Sequence, residues 1–170
     1  GHATMGAVTT LLELGGIQAS APQMELTVDT PSGPMSTTAV WDGSRVQGVT
    51  IQTIPSFVYQ TRQEVVLPHY GSLQVDTVCV GGFFAMVNMD QLDLTLQDTV
   101  PLTSLGMDII TQANRQLQVA HPTRPEVNSV DVVEFYTLDP SNPSAGQSVV
   151  IYGEAHVDRS PCGTGTAAKL

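Results

Sequence analysis

The sequence has few basic residues, few aromatic residues and little cysteine. Six basic residues stand against 16 acidic ones, and the resulting net charge of -10 repels a phosphate backbone, so we expect no nucleic-acid partner. The two cysteines are too few for a disulfide framework or a CxxC zinc site, and no HExxH motif or close histidine pair offers another metal site. No run reaches the roughly 18–20 apolar residues of a membrane helix, and the N-terminus lacks a basic signal-peptide start. We therefore predict a soluble protein, cytoplasmic by default, without a metal or a membrane partner.

Apolar residues are plentiful. They make up 41% of the 170 residues, which is enough for one hydrophobic core or two smaller ones. Short alternating and β-branched runs between glycine and proline breaks predict strands, and apolar residues three and four positions apart predict helices. The predicted strands cover residues 24–29, 35–41, 46–54, 64–67, 73–80, 83–89, 130–138 and 148–152, and the predicted helices cover 3–14, 101–118 and the residues from 162 onward. This order predicts an α+β fold in which residues 139–144 form a surface loop.

The two ends of the sequence are unusual. The chain begins Gly1-His2-Ala3 without a methionine, and it stops at Leu170 inside a predicted helix that has no cap. We therefore expect the chain to be part of a longer protein.

The strongest local signal surrounds Cys162. This cysteine is followed by Gly163-Thr164-Gly165-Thr166 and preceded, four residues earlier, by Asp158. A thiol at the first turn of a helix lies near the positive end of the helix dipole and near unpaired N–H groups, which stabilise the thiolate. Such a thiolate can act as a base or a nucleophile, and the glycines let backbone amides approach a substrate carboxylate. The alternative is a buried structural cysteine beside a turn.

Several segments resemble landmarks of one enzyme family. The run from Asp158 to Thr166, Asp-Arg-Ser-Pro-Cys-Gly-Thr-Gly-Thr, closely resembles the second catalytic signature of the proline racemase family, which includes the hydroxyproline 2-epimerases. Gly1-His2-Ala3-Thr4 resembles the part of the first signature that follows its cysteine. The segments 54–59, 81–85 and 121–122 resemble further landmarks in the same order. The resemblance therefore spans the whole chain.

The resemblance implies catalysis by two opposed cysteines, without pyridoxal phosphate, a metal or another cofactor. One cysteine removes the α-proton as a thiolate, while the other delivers a proton to the opposite face of the carbon. Cys162 would be one of the pair, and we expect the other immediately before Gly1. The resemblance also implies a small-molecule substrate, proline or 4-hydroxyproline, and we expect a homodimer.

The resemblance assigns further residues to the substrate. His2 and Asp158 would hold the ring nitrogen. Gly1, Gly163 and Thr164 would bind the carboxylate.

Other residues in or near these motifs can be interpreted structurally as well as functionally. Tyr152 would line the pocket near the substrate ring, or it is a strand-end packing residue. Taken alone, His2 is an ordinary helix-start residue and Asp158 a helix N-cap or turn residue. Arg159 is expected to orient the loop through carboxylate contacts. Cys79 lies in an apolar strand and is predicted to be part of the core.

The family resemblance also implies a fold. It is the diaminopimelate-epimerase-like fold, with two lobes of curved antiparallel sheet, each around a central helix. Residues 1–59 would belong to the first lobe and residues 60–170 to the second, up to the start of its catalytic helix. Both lobes would be truncated in this chain.

Three readings of the chemistry stay open. Phe83-Phe84-Ala85 resembles the racemases more than the epimerases and favours proline, although Gly82 stands where racemases commonly carry asparagine. A trans-3-hydroxyproline dehydratase would share the fold, but dehydratases of the family typically carry threonine in place of Cys162. The third reading is a non-catalytic fragment or binding module of this family.

Overall fold

The computed structural model of the chain describes residues 1–20, 22–158 and 160–170. The helices are α1 (His2–Glu13), α2 (Thr99–Gln116) and α3 (Gly163–Lys169), with a short 3-10 helix at Met89–Gln91. The strands are β1 (Gln23–Thr30), β2 (Gly33–Trp41), β3 (Val46–Ile51), β4 (Phe57–Leu67), β5 (Gly71–Val80), β6 (Gly82–Asn88), β7 (Val130–Asp139), β8 (Asn142–Tyr152) and β9 (His156–Val157). They fall into two compact units, Gly1–Pro55 and Ser56–Leu170. Within these described ranges, every helix is too short or too polar to cross a membrane.

The first unit packs α1 against a three-stranded antiparallel sheet in the order β1-β2-β3. Val8 and Leu12 lie on the buried face of α1, as their four-residue spacing predicts. They pack with Met24 and Ala39 of the sheet. Just beyond the end of α1, Gly15 has a φ of 73°, a left-handed conformation that glycine adopts without steric cost. The predicted glycine stop of this helix is confirmed.

The second unit is built on a six-stranded sheet in the order β4-β5-β6-β7-β8-β9. Neighbouring strands run antiparallel except for β6 and β7, which pair in parallel. A parallel pair needs a crossover connection between its strands, and the segment containing α2 supplies it. Gly81, with a φ of 84°, makes the turn between β5 and β6. The break that the sequence predicts at this glycine is confirmed.

A helix covers each face of the six-stranded sheet. Because alternate residues of a strand point to opposite faces, β5 and β6 contribute side chains to both. On the face that we call the α2 face, α2 and the sheet share a large apolar cluster that includes Leu102, Ile109, Phe83 and Phe135. On the opposite face, the α3 face, α3 packs over β5 and β6. The smaller apolar cluster there contains Val78, Val80, Phe84, Met86, Val150 and Ala168.

The predicted helices and strands are present, with differences at their ends. Residues 139–144 were predicted to be a surface loop, and this prediction is wrong: β7 and β8 form a tight hairpin in which Asp139 pairs with Asn142. The Asp, Pro, Ser and Asn residues of this segment are typical of turns, but pairing of the flanking strands leaves only a short turn. Strand β4 begins at Phe57, earlier than predicted, because Phe57 pairs with Cys79 of β5.

Candidate active site

The loop that leads into α3 is fixed by Asp158. Its backbone N–H donates to the carbonyl oxygen of Val150 at 2.9 Å, which ties the loop to β8. Its carboxylate Oδ1 accepts hydrogen bonds from the N–H of Ser160 at 2.8 Å and from the Ser160 hydroxyl at 2.7 Å. This is the turn role that Asp residues commonly have in loops. Of the two structural readings of Asp158, the structure therefore supports the turn and not the N-cap. Arg159, which the sequence suggests as an orienting residue, lies outside the described residues.

Cys162 occupies the N-cap position of α3. Its Sγ accepts a hydrogen bond from the N–H of Gly165 at 3.4 Å and lies 3.5 Å from the Thr164 hydroxyl. Its carbonyl oxygen accepts the N–H of Thr166 at 2.8 Å, which is the first backbone bond of the helix. The side chain is half-buried. The thiol therefore has hydrogen-bond donors that suit a thiolate and is also partly open to solvent.

The first turn of α3 leaves backbone donors beside this thiol. The N–H groups of Gly163 and Thr164 precede the first intrahelical bond and have no acceptor within the helix. Gly163 is exposed, and no described atom would lie within 4 Å of a Cβ added to it. The space next to Cys162 can therefore admit an anionic group to these N–H donors.

Tyr152 ends β8, two residues beyond the Val150 carbonyl that holds the loop. Its side chain is 38% exposed at the end of the strand. The ring stacks at a tilt on His156 of β9, with ring centroids 5.7 Å apart. His156 thus has an aromatic partner that the sequence did not indicate.

Gly1 and His2 lie in the first unit, so their placement is described within that unit alone. Gly1 is the N-cap of α1, and its carbonyl oxygen accepts the N–H of Met5 at 3.0 Å. Both Gly1 and His2 are exposed. A Cβ added to Gly1 would lie 3.3 Å from the Cδ1 of Ile51, which is a close approach. The two residues therefore open a helix, as the sequence predicts.

The second cysteine is in a different environment. Cys79 is 0% exposed and belongs to the apolar cluster of the α2 face. Burial raises the pKa of this thiol. Its prediction as a core residue is confirmed. In the described ranges, no three or more His, Cys, Asp or Glu side chains lie close enough together to hold a metal ion.

Glu134 packs against Gly165 in the first turn of α3, a contact that was not predicted from the sequence. Its side chain is 0% exposed in β7, and neither carboxyl oxygen has a hydrogen-bond partner among the described residues. Burial raises the pKa of this carboxyl, against smaller opposing effects of the Ser148 hydroxyl and the Lys169 ammonium. The Ser148 hydroxyl lies near the carboxyl but makes no hydrogen bond to it. No sequence signal identifies it, because its strand-face neighbours Val132 and Tyr136 are as compatible with a solvated acid as with a buried one.

Known proteins resemble this chain over its whole length. Proline racemase A of Trypanosoma cruzi is 41% identical over 100% of this chain and 42% of its own length. The 4-hydroxyproline 2-epimerase 2 of Brucella anthropi is 32% identical over 100% of this chain and 51% of its own length. The chain therefore spans about half the length of these curated relatives.

Solved structures of the same group match the fold. A probable proline racemase of Agrobacterium radiobacter K84, with bound carbonate, superposes with a TM-score of 0.89 at 30% identity and covers 99% of this chain and 49% of its own. A hydroxyproline epimerase of Agrobacterium vitis, with bound trans-4-hydroxy-L-proline, gives a TM-score of 0.87 at 30% identity and covers 97% and 48%. The predicted fold class is confirmed by these matches. The sequence profile of the family described as Proline racemase matches residues 1–170, and the chain belongs to this family.

Proposed function

We propose that a protein of the relatives' length carrying this sequence racemises proline, with Cys162 as one of two acid/base thiols. The observation that carries the proposal is the half-buried Cys162 thiol at the N-cap of α3, to which the Gly165 N–H donates. Proline is favoured over 4-hydroxyproline by Phe83-Phe84-Ala85 and by the higher identity to a proline racemase, 41%, than to an epimerase, 32%. C2-epimerisation of 4-hydroxyproline is the second form of the same reaction.

The proposed reaction moves one proton off the α-carbon and another onto it. A thiolate takes the α-proton and becomes a thiol, and the opposed thiol gives its proton to the other face and becomes a thiolate. The carbanion formed between these transfers needs nearby hydrogen-bond donors, and the first-turn N–H groups beside Cys162 can supply them. Cys79 cannot be the second thiol, since it is 0% exposed on the α2 face. The reaction therefore requires a thiol that this chain does not contain.

The substrate contacts follow the family pattern. The carboxylate would bind to N–H groups at the two helix starts, those of Gly1, Gly163 and Thr164. The ring nitrogen would bind to a polar group on each side, His2 and Asp158. The ring would lie beside the aromatic side chain of Tyr152. The open space at Gly163 and the exposure of Tyr152 support these assignments.

Exchange at the α-carbon tests the proposal directly. The full-length protein is incubated with L-proline, and separately with trans-4-hydroxy-L-proline, in heavy water, while NMR follows the α-proton and polarimetry follows inversion. We expect exchange and inversion together, and a loss of about 100-fold to 10,000-fold in rate for Cys162→Ala, the range of acid/base catalysis. Cys79→Ala is the matched control and should keep the activity.

Several outcomes would contradict the proposal. Inactivity on both substrates would exclude the substrate class, and retained activity of Cys162→Ala would exclude the role of this thiol. A pyrroline product from trans-3-hydroxy-L-proline, without inversion, would indicate the dehydratase instead. Turnover by the 170-residue chain alone would contradict the need for a second thiol.

We also propose that the first and second units are parts of the two expected lobes, and that the protein acts as a cytoplasmic homodimer. Size-exclusion chromatography with light scattering on the full-length protein tests the dimer. A monomer at micromolar concentration would exclude it.

A further inference from the structure

Glu134 lies in the middle of the apolar surface that α3 covers. Across the sheet it pairs with Met86 of β6 and Val150 of β8, and both neighbours belong to the apolar cluster of the α3 face. A buried polar group without a partner loses its hydration and regains little in return. The burial of this carboxyl is therefore unfavourable by itself, and a nearby contact must explain it.

The contact of Glu134 is with the first turn of α3. A Cβ added to Gly165 would collide with the Glu134 Oε2 and lie 3.0 Å from its Cδ. The carboxyl thus packs directly against the backbone of Gly165, which is itself buried. The N–H of this same glycine donates to the Cys162 sulfur at 3.4 Å. One residue therefore connects the buried acid to the reactive thiol.

We propose that Glu134 is a positioning residue for Cys162: its buried side chain supports the first turn of α3 and holds the Gly165 N–H against the sulfur. The inference rests on the proposed function in that it treats Cys162 as the catalytic thiol. An uncharged carboxyl fills the space under Gly165 without placing a negative charge beside a thiolate. A carboxylate in the same place would oppose thiolate formation.

The groups around Glu134 agree with an uncharged state. From α3 it faces the Lys169 ammonium, and from β8 the Ser148 hydroxyl. On its own strand the nearby titratable group is Tyr136, whose pKa is raised first by burial and then by Asp76 of β5. Lys169 is the cation of this group, and it makes no hydrogen bond to the carboxyl. Burial therefore outweighs the available compensation.

The pH dependence of alkylation measures this effect without any turnover. The 170-residue chain is treated with iodoacetamide across a pH series, and mass spectrometry follows the modification of Cys162. Glu134→Gln keeps the shape and the absence of charge. The pH midpoint of Cys162 alkylation in this variant should therefore stay within about 0.3 pH units of the wild-type midpoint. Glu134→Ala removes the support, and loss of the N–H to sulfur bond should slow alkylation about twofold to tenfold near the midpoint.

Matched variants separate positioning from general stability. Val133→Ala lies beside Glu134 on the same strand, is 0% exposed on the α2 face, and should lower the melting temperature without moving the midpoint. Glu134→Asp draws the carboxyl away from Gly165 and should slow alkylation as Glu134→Ala does, so it serves if the alanine variant does not fold.

Two kinds of result would contradict the positioning role of Glu134. An unchanged midpoint in Glu134→Asp or in folded Glu134→Ala would overturn it, as would a midpoint about one unit lower in Glu134→Gln, which would mean that the native carboxyl is charged. Because no substrate is involved, the two proposals can fail separately. If the protein is inactive on proline and on 4-hydroxyproline but Glu134→Asp or Glu134→Ala shifts the alkylation midpoint, the proposed function is rejected and the positioning role is kept.

Discussion

The two faces of the six-stranded sheet differ in how completely they are buried and satisfied. On the α2 face, an 18-residue helix covers a large apolar cluster, and the buried Thr77 hydroxyl donates to Gln63 at 2.7 Å. On the α3 face, a seven-residue helix covers a smaller cluster, Glu134 has no partner among the described residues, and the Cys162 thiol is half-buried. The α2 face is therefore closely packed and its buried hydroxyl is paired, whereas the α3 face holds a half-buried thiol and a buried acid that is unpaired within the described part of the chain.

The largest expected effect is on the α2 face. Ile109→Ala empties part of its fully buried cluster and should lower the free energy of unfolding by about 2–5 kcal/mol, as measured by urea titration. The alkylation midpoint of Cys162 should not change, because Ile109 lies on the other side of the sheet. A shifted midpoint in this variant would show that the faces are not independent.

Two glycines, Gly165 in α3 and Gly106 in α2, allow the two faces of the sheet to be compared. Gly165→Ala and Gly106→Ala each place a Cβ against a buried side chain, Glu134 in the first case and Ile151, at 2.9 Å, in the second. Each should cost about 1–3 kcal/mol of unfolding free energy. Adding Glu134→Ala should recover part of the loss in Gly165→Ala and leave the loss in Gly106→Ala unchanged, as a double-mutant cycle measures. Additive losses in both pairs would contradict the contact between Gly165 and Glu134.

The pH dependence of stability isolates the buried acid. Because the pKa of Glu134 is raised in the folded state above the ordinary value of 4.5, the unfolded chain releases this proton first as the pH rises. Stability is therefore full below pH 4.5 and falls until the pH passes the folded-state pKa, by about 1.4 kcal/mol for each unit of difference. Glu134→Gln should remove this fall in urea titrations at pH 4, 6 and 8. The exposed Glu126→Gln should retain it, and an identical fall in both variants would exclude Glu134 as its source.

The smallest effect concerns the second thiol. Cys79→Ala removes one buried sulfur and should cost about 1 kcal/mol of unfolding free energy. In the wild-type chain, iodoacetamide should modify Cys162 under native conditions and Cys79 only in urea, because burial both shields the Cys79 thiol and raises its pKa. Native labelling of Cys79 at a comparable rate would contradict its place in the core.

The elements of the fold could be predicted from the sequence because periodicity carries the information. The three- and four-residue spacing of Leu102, Leu105 and Ile109 marks the face of α2 that is buried, and Gly15 and Gly81 mark turns that need a positive φ. The hairpin at residues 139–144 was missed because strand pairing, which composition does not encode, decides where the turn lies.

The candidate site was predictable only in part. Cys162 and its glycines are neighbours in sequence, so the N-cap and its open first turn could be inferred from the motif. Glu134 could not, since a single acid in a strand has the same pattern whether water or a helix lies above it. The role proposed for it depends on contact with Gly165, which is distant in sequence and is brought close only by folding.

The parallel pair of β6 and β7 also bears on how the site forms. The two strands are separated in sequence by α2, and closing so long a loop is slower than forming a local hairpin. Strands β7 to β9 join the sheet through this pair. Until it closes, α3 has no completed sheet face to pack on, so we expect the Cys162 thiol to be more accessible in a newly made chain than in the folded one.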